Sequence, residues 1–419
     1  MDSILYCKRR VIIHLIDMKL IRVILIIITV LLAFSTVYSK TYNLEEGNNL
    51  QSIINYAANG DTLVLDEMTY RTVLTPFNDL LCGNCEQPDT VIKASYGFVV
   101  RNKSLVIIGL SRTGTILLTK AGYGLYIENC PNIEIRNLTI TGGVRDLDEM
   151  ATDAGIVIRN SKVKIVDVDI RDNDHRLDSV VVGIGGIIGR EGADIEIFNC
   201  NIDNNGWDGV ALYRGAIAHI ANNKISNGRG AGIGVTWDAS CVAYNNEITG
   251  YWKGIGAFGS SWVIARNNLI HENLGWGMVA TGQSYMDMTN NVVYHNGNCG
   301  IAPWSTDSRG RIVNNIIVEN GWRDYWVCAC VGVRNNGDWA KWEFKHNIVF
   351  GNKDGEYENI WDQTGLNGNL SVDPMFMGEG DFDLQAGSPG FHGGDSLIYN
   401  TDGTVSHIGL YGGPQAWAK

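Results

Sequence analysis

Lys253 stands in the stretch YWKGIGAFG, between a tryptophan and a run of small residues. A lysine shielded from water by a ring and bare backbone has a lowered pKa, which makes it a candidate general base. Arg214 ends the comparable stretch GVALYR and is the second candidate base; Asp238 follows VTW 24 residues later. Asp238 is placed to orient Arg214, to act as an acid, or simply to pair with it. Asp208 and Asp238 make a poor hydrolytic pair. They fall at opposite ends of adjacent strands, roughly 20 Å apart by the rise per residue, where such chemistry needs about 5–10 Å. The sequence contains no HExxH, P-loop or GxSxG.

What would position these side chains is a repeat. Asn-Asn pairs begin at 222, 245, 267, 290 and 314, and Asn199-Cys200 precedes them; the steps are 23, 23, 22, 23 and 24 residues. Weaker copies lie at RNLTI (136–140), VDVDI (166–170) and HNIVF (346–350). Such a period, built of short β-rich runs, suits one turn of a parallel β-helix with a perimeter of about 75 Å at roughly 3.3 Å per residue. Asparagines at equivalent corners then stack into ladders. A leucine-rich repeat would need its own consensus, and a propeller about twice the period.

Thirteen residues before the pairs at 222 to 290 stand Gly209, Gly232, Gly254 and Gly277; Gly300 leads its pair by fourteen. Each opens a strand. Alternation turns Val210, Ile233, Ile255, Met278 and Ile301 inward and the small residues outward. The outward strip of Gly209/Ala211, Gly232/Gly234, Gly254/Gly256, Gly277/Val279 and Gly300/Ala302 reads as a flat floor. Large residues flank it: Trp207, Asp208, Trp252 and Trp276 on one side, Tyr213, Trp237, Phe258 and Trp304 on the other. An aromatic-walled cleft of this length suits a linear polysaccharide, unless another segment covers it. Upstream, the same register puts Arg159 and Arg190 on one wall with Arg214 beside it, a row able to meet carboxylates.

The coils with their Asn ladders, the opening LQSIINYAANGDTLVLDEMTY (50–70) and the closing VDPMFMGEGDFDLQAGSPG (372–390) resemble the right-handed parallel β-helix proteins of the pectate-lyase-like superfamily. The likeness covers nearly all of residues 40–419. It implies an all-β, single-stranded right-handed solenoid with coils of about 22–24 residues, an N-terminal cap and a C-terminal cap over about 372–419. It also implies a choice among lyase, epimerase, hydrolase and non-catalytic binding protein. A lyase of this kind neutralises a uronate carboxylate and removes the neighbouring C5 proton with a lysine or arginine, often helped by calcium; Lys253 and Arg214 are the residues here to do it. A uronate lyase or epimerase is the leading expectation, and a glycan-binding or cell-surface structural module the alternative. The paired aspartates of the related hydrolases and the epimerase DPHD motif are absent.

Acids gather at 144–153 (Asp146, Asp148, Glu149, Asp153) and at 170–179 (Asp172, Asp174, Asp178), in inserted loops that either ligate calcium or, more simply, are solvated. Cys82 and Cys85 form a CxxC expected to close as a loop disulfide, and Cys299 and Cys330 take stacked positions expected to form a second. Residues 1–39 read as a secretory signal, with the start at Met18, five Lys/Arg, and the apolar run VILIIITVLLAF (23–34). Without them the charge is −15 (28 basic, 43 acidic), which argues against nucleic-acid or anionic-membrane partners. The expectation is an exported monomer at the cell surface, in the periplasm or outside the cell.

Overall fold

Three parallel sheets carry the chain around and around. The computed structural model describes residues 39–175, 181–323, 328–378 and 380–418. The expected signal segment (1–38 of it) and Asp178 lie outside the described residues. Residues Thr41–Lys419 form one unit. A short helix, Leu50–Tyr56, covers its first coils, with Asn49 accepting the Ser52 N–H at 2.9 Å as its N-cap.

One coil shows the logic: Val210–Leu212 lies in the third sheet, Ile217–Ala221 in the first and Lys224–Ser226 in the second. Apart from Thr75–Asp79, which pairs antiparallel at one edge, each strand pairs in parallel with the strand one coil on, giving sheets of twelve, eleven and twelve strands. The interior is stacked by register. Val210, Ile233, Ile255, Met278 and Ile301 form one buried row, as alternation predicts, and Ile202, Ile225, Ile248 and Ile270 form another on the second sheet.

The Asn-Asn pair divides two tasks. The first asparagine turns the corner in the left-handed region, with φ near 55° at Asn222, Asn245, Asn267, Asn290 and Asn314, where asparagine is tolerated and bulky side chains are not. The second is buried and donates its amide to the next coil. Asn223, Asn246, Asn268, Asn291, Asn315, Asn347 and Asn369 are linked in this way at 2.9–3.1 Å. A second ladder, not anticipated from the sequence, runs through Asn273, Asn296, Asn320 and Asn352 at 2.9 Å per step on another corner. Asn291→Ala should strand the buried N–H groups of Asn268 and cost about 1–3 kcal/mol per orphaned group. Urea unfolding of the variant checks this.

The recurring glycines correct the floor reading. A Cβ on Gly254 would strike Ile270 Cγ2 and, at 3.1 Å, Asn273 Nδ2; on Gly277 it would meet Val293 at 2.5 Å and Asn296 at 3.0 Å. Gly209, Gly232 and Gly300 face Ile225, Ile248 and Ile317 in the same manner. These positions point into the core at a corner, where the second sheet's aliphatic residues and the second ladder leave no room for a side chain. Only Gly234 and Gly256 of the glycines in the strip face outward, against Asp208 and Phe258.

The C-terminal segment packs on the side of the solenoid. It runs back along the outside of the second sheet, where Asn267 donates to the Leu410 and Gly412 carbonyls and Asn290 to that of His407, all at 2.8 Å. Phe382, Leu384, Ile408 and Leu410 pack there on Leu269, Val292, Ile316 and Ile348. No helix among the described residues is long and apolar enough to cross a membrane.

Candidate functional site

The candidate residues divide along the outer face of the third sheet. Over the upstream coils this face is covered. Thr75–Asp79 pairs antiparallel with Ile92–Arg101, and Phe77 stacks on Tyr126 with ring centroids 5.6 Å apart. Under this hairpin Arg190 is 0% exposed; it pairs with Asp79 and, at 2.7 Å, with Glu191, and donates to the Leu81 carbonyl at 3.0 Å. Arg159 pairs with Asp79 at 2.8 Å and Glu128 at 3.0 Å. Neither is a groove-edge cation. They hold the hairpin down, which corrects the expectation of an arginine row.

The acids of 144–153 do the same work. Asp146 accepts from the Ser95 N–H at 2.8 Å and its hydroxyl at 2.6 Å, Asp148 accepts the Lys93 N–H at 2.9 Å, and buried Asp153 pairs with Arg145. Burial raises the Asp153 carboxyl to about 7, with Arg145 opposing. The three carboxylates are engaged by the protein itself, and among the described residues no group of three or more His, Cys, Asp or Glu is arranged to hold a metal.

Arg214 reaches back to the same covering loop: it donates to the Cys85 carbonyl and lies 4.8 Å over the Trp237 ring. Cys82 and Cys85 are bridged, as the CxxC predicts. Asp238 is exposed and accepts the Gly215 N–H at 2.8 Å, capping a turn; no Arg214–Asp238 ion pair forms among the described residues. Arg214 and Asp238 are thus each engaged locally, apart from one another.

Downstream of the hairpin a different constellation stands on the outer face. The register pairs Ala231, Lys253 and Trp276 across three coils, so Lys253 points outward, where simple strand phase from the sequence would turn it in. Its ammonium lies 5.7 Å from both the Phe258 and the Trp276 ring centroids. Asp208 accepts the Ala231 N–H at 2.6 Å and faces Gly234. Burial lifts the Asp208 carboxyl to about 6, against the pull of that N–H and of Lys253; burial lowers Lys253, with Asp208 opposing. An acid and a base, each pushed toward neutrality by burial, thus act on one another's charge on this face. Tyr213, 7% exposed, sits beside them, its phenol raised by burial and by Asp208.

The flanking rings form an edge-to-face series: Trp252 to Trp276 at 5.9 Å and Trp276 to Trp304 at 5.6 Å. They close over Val279 and Ala302, both buried, so the strip is a ridge of aromatic edges and not an open trough. Three arginines missed from the sequence belong to it. Arg229 lies 5.8 Å from the Trp207 ring, Arg323 5.3 Å from Trp252 and Arg334 5.6 Å from Trp304. Arg229 stands two residues before the strand Ala231–Val235 and was legible; Arg323 sits in an excursion where the repeat breaks and gave no signal. Near Trp304 the sulfur facing Cys299 is that of Cys328, at 3.2 Å, while Cys330 donates to the Arg323 carbonyl at 3.1 Å. The expected Cys299–Cys330 bridge is corrected accordingly.

The stacked coils, the parallel sheets and the ladders define a right-handed parallel β-helix protein. Residues 183–321 match the family described as right handed beta helix region. Among solved structures, the Dettilon tailspike protein aligns at TM-score 0.51 and 16% identity, over 78% of this chain and 58% of its own, so this chain spans less than two thirds of that protein. The Azotobacter vinelandii mannuronan C-5 epimerase AlgE6 A-module aligns at 0.46 and 16% (77% and 94% covered), and pectate lyase Pel9A at 0.44 and 14% (90% and 97%). No curated protein matches the sequence.

Proposed function

We propose that the chain is an exported, carbohydrate-active β-helix protein that binds an anionic polysaccharide along the ridge from Trp207 to Trp304 and acts on it as a uronate lyase or epimerase. The observation that carries this reading is the Lys253 ammonium between the Phe258 and Trp276 rings, with Asp208 beside Gly234 acting on its charge, on a face whose rings can lie against sugars. Arg229, Lys253 and Arg323 bring positive charge to this face of a chain whose net charge is −12. Similarly folded proteins include a mannuronan C-5 epimerase module and a pectate lyase.

In this mechanism the neutral Lys253 amine takes the C5 proton of a uronate whose carboxylate is met by the arginines. In elimination the C4–O bond then breaks and the departing oxygen takes a proton from water, while Asp208 tunes the Lys253 ammonium through its charge. In epimerisation C5 instead takes a proton from water on its opposite face, and Lys253 gives its own proton to solvent.

The test is residues 40–419 against a panel of uronate and neutral polysaccharides, with and without added calcium. Ultraviolet absorbance detects the unsaturated uronate and proton NMR of C5 detects epimerisation. Product on one polymer is the expected result. Tight binding to one member with neither product would leave a recognition module and sink the enzyme. Trp252→Ala and Trp304→Ala should each weaken polymer binding about 10-fold or more, since a stacked partly exposed ring commonly contributes over 1 kcal/mol; isothermal titration checks this.

A further inference from the structure

The cysteines near the end of the ridge carry an inference independent of the proposed activity. Cys299 precedes the strand Ile301–Pro303, and Cys328 returns from the excursion that separates Ile316–Val318 from Val333–Arg334. Both are fully buried, in one apolar cluster with Trp276, Val279, Ala302 and Val331. Their sulfurs are 3.2 Å apart, and each is the other's thiol partner. Cys330, two residues on, has its own partners in the Arg323 carbonyl and, at 3.9 Å, the Asn298 amide. The thiols of Cys130 and Cys200 are directed at the Glu128 and Phe198 carbonyls, each at 3.3 Å.

We propose that Cys299 and Cys328 are joined by a disulfide that staples the excursion to the aromatic ridge. At 3.2 Å the sulfurs need to close only a gap of about 1 Å to reach bonding distance. The reaction removes both thiol protons and passes two electrons to a disulfide oxidant, which leaves as a dithiol. Because both sulfurs are enclosed in the finished fold, the bond forms while the excursion is docking. Its consequence is positional: Arg323, on the near side of the excursion, stays over Trp252, and Trp276 keeps its place between Trp252 and Trp304.

The experiment is peptide mapping of residues 40–419 refolded in a glutathione redox buffer, denatured and alkylated without reductant. A peptide joining Cys299 to the 328–330 segment should appear, and Cys130, Cys200, Cys241 and Cys330 should be the alkylated thiols. In Cys330→Ala the joined peptide should persist. Alkylated Cys299 in the refolded protein would overturn the proposal, as would loss of the joined peptide in Cys330→Ala, which would assign the bridge to Cys330. Cys328→Ala, compared with wild type by thermal unfolding under oxidising and reducing conditions, should lose the redox-dependent shift beyond that shared with Cys82–Cys85. An undiminished shift in Cys328→Ala would also count against the staple.

Discussion

Lys253→Ala should lower turnover about 10²–10⁴-fold while polymer affinity changes only a few-fold, because a positioned proton-transfer group contributes to the transition state far more than to binding. Steady-state rates and titration calorimetry separate the two. The pH profile adds a sharper readout. A lysine base works only when neutral, so the rate should climb with pH and level off below the ordinary lysine pKa of 10.5, since burial lowers this group. Asp208 loses its proton as pH rises through about 6, and its charge then favours the Lys253 ammonium. Removing that charge in Asp208→Asn should therefore move the rising limb to lower pH while keeping the Ala231 hydrogen bond through the amide oxygen. A limb that stays in place, or a Lys253→Ala enzyme with wild-type turnover, would remove Lys253 from the chemistry.

Arg190→Ala should destabilise the protein by about 3–5 kcal/mol, the usual consequence of leaving one partner of a buried ion pair behind. Asp79 and Glu191 would lose their shared guanidinium, and the Tyr123 hydroxyl, 3.2 Å from it, would lose a donor. The hairpin Thr75–Asp79 and its loop should become open to protease first, since Leu81 and Asp79 are held by this side chain. Arg190→Lys should rescue little, because a single ammonium cannot reach Asp79, Glu191 and Leu81 together. Urea unfolding and limited proteolysis measure both effects. Stability unchanged with affinity lost would instead make Arg190 a substrate contact and contradict the burial.

Much of the solenoid is legible in the residues themselves. A period of 22–24 residues, the alternation around Val210, Ile233 and Ile255, and the Asn-Asn pairs are enough to define coils, an inward face and a ladder, because each is imposed by neighbours one coil away. Even the docking of the tail leaves a trace. The outward position of the second sheet reads Lys224, Glu247, then Leu269, Val292, Ile316 and Ile348, and the change from charged to apolar falls where the C-terminal segment lies.

What the period does not encode is which segment from elsewhere in the chain comes to lie on a face. Arg159 and Arg190 look like cations on an open edge until Asp79, some eighty or more residues earlier, is placed upon them. The corner glycines look like an outward floor because strict alternation fails at a bend, where two successive positions both face the core. Lys253 turns outward for the same reason, and Cys299 meets Cys328 because the excursion, which breaks the repeat, decides where the chain returns. Local repetition is written in sequence spacing, since it depends on contacts at a constant separation. Cover, corner and excursion depend on contacts at separations that occur only once, and only the tertiary structure decides them.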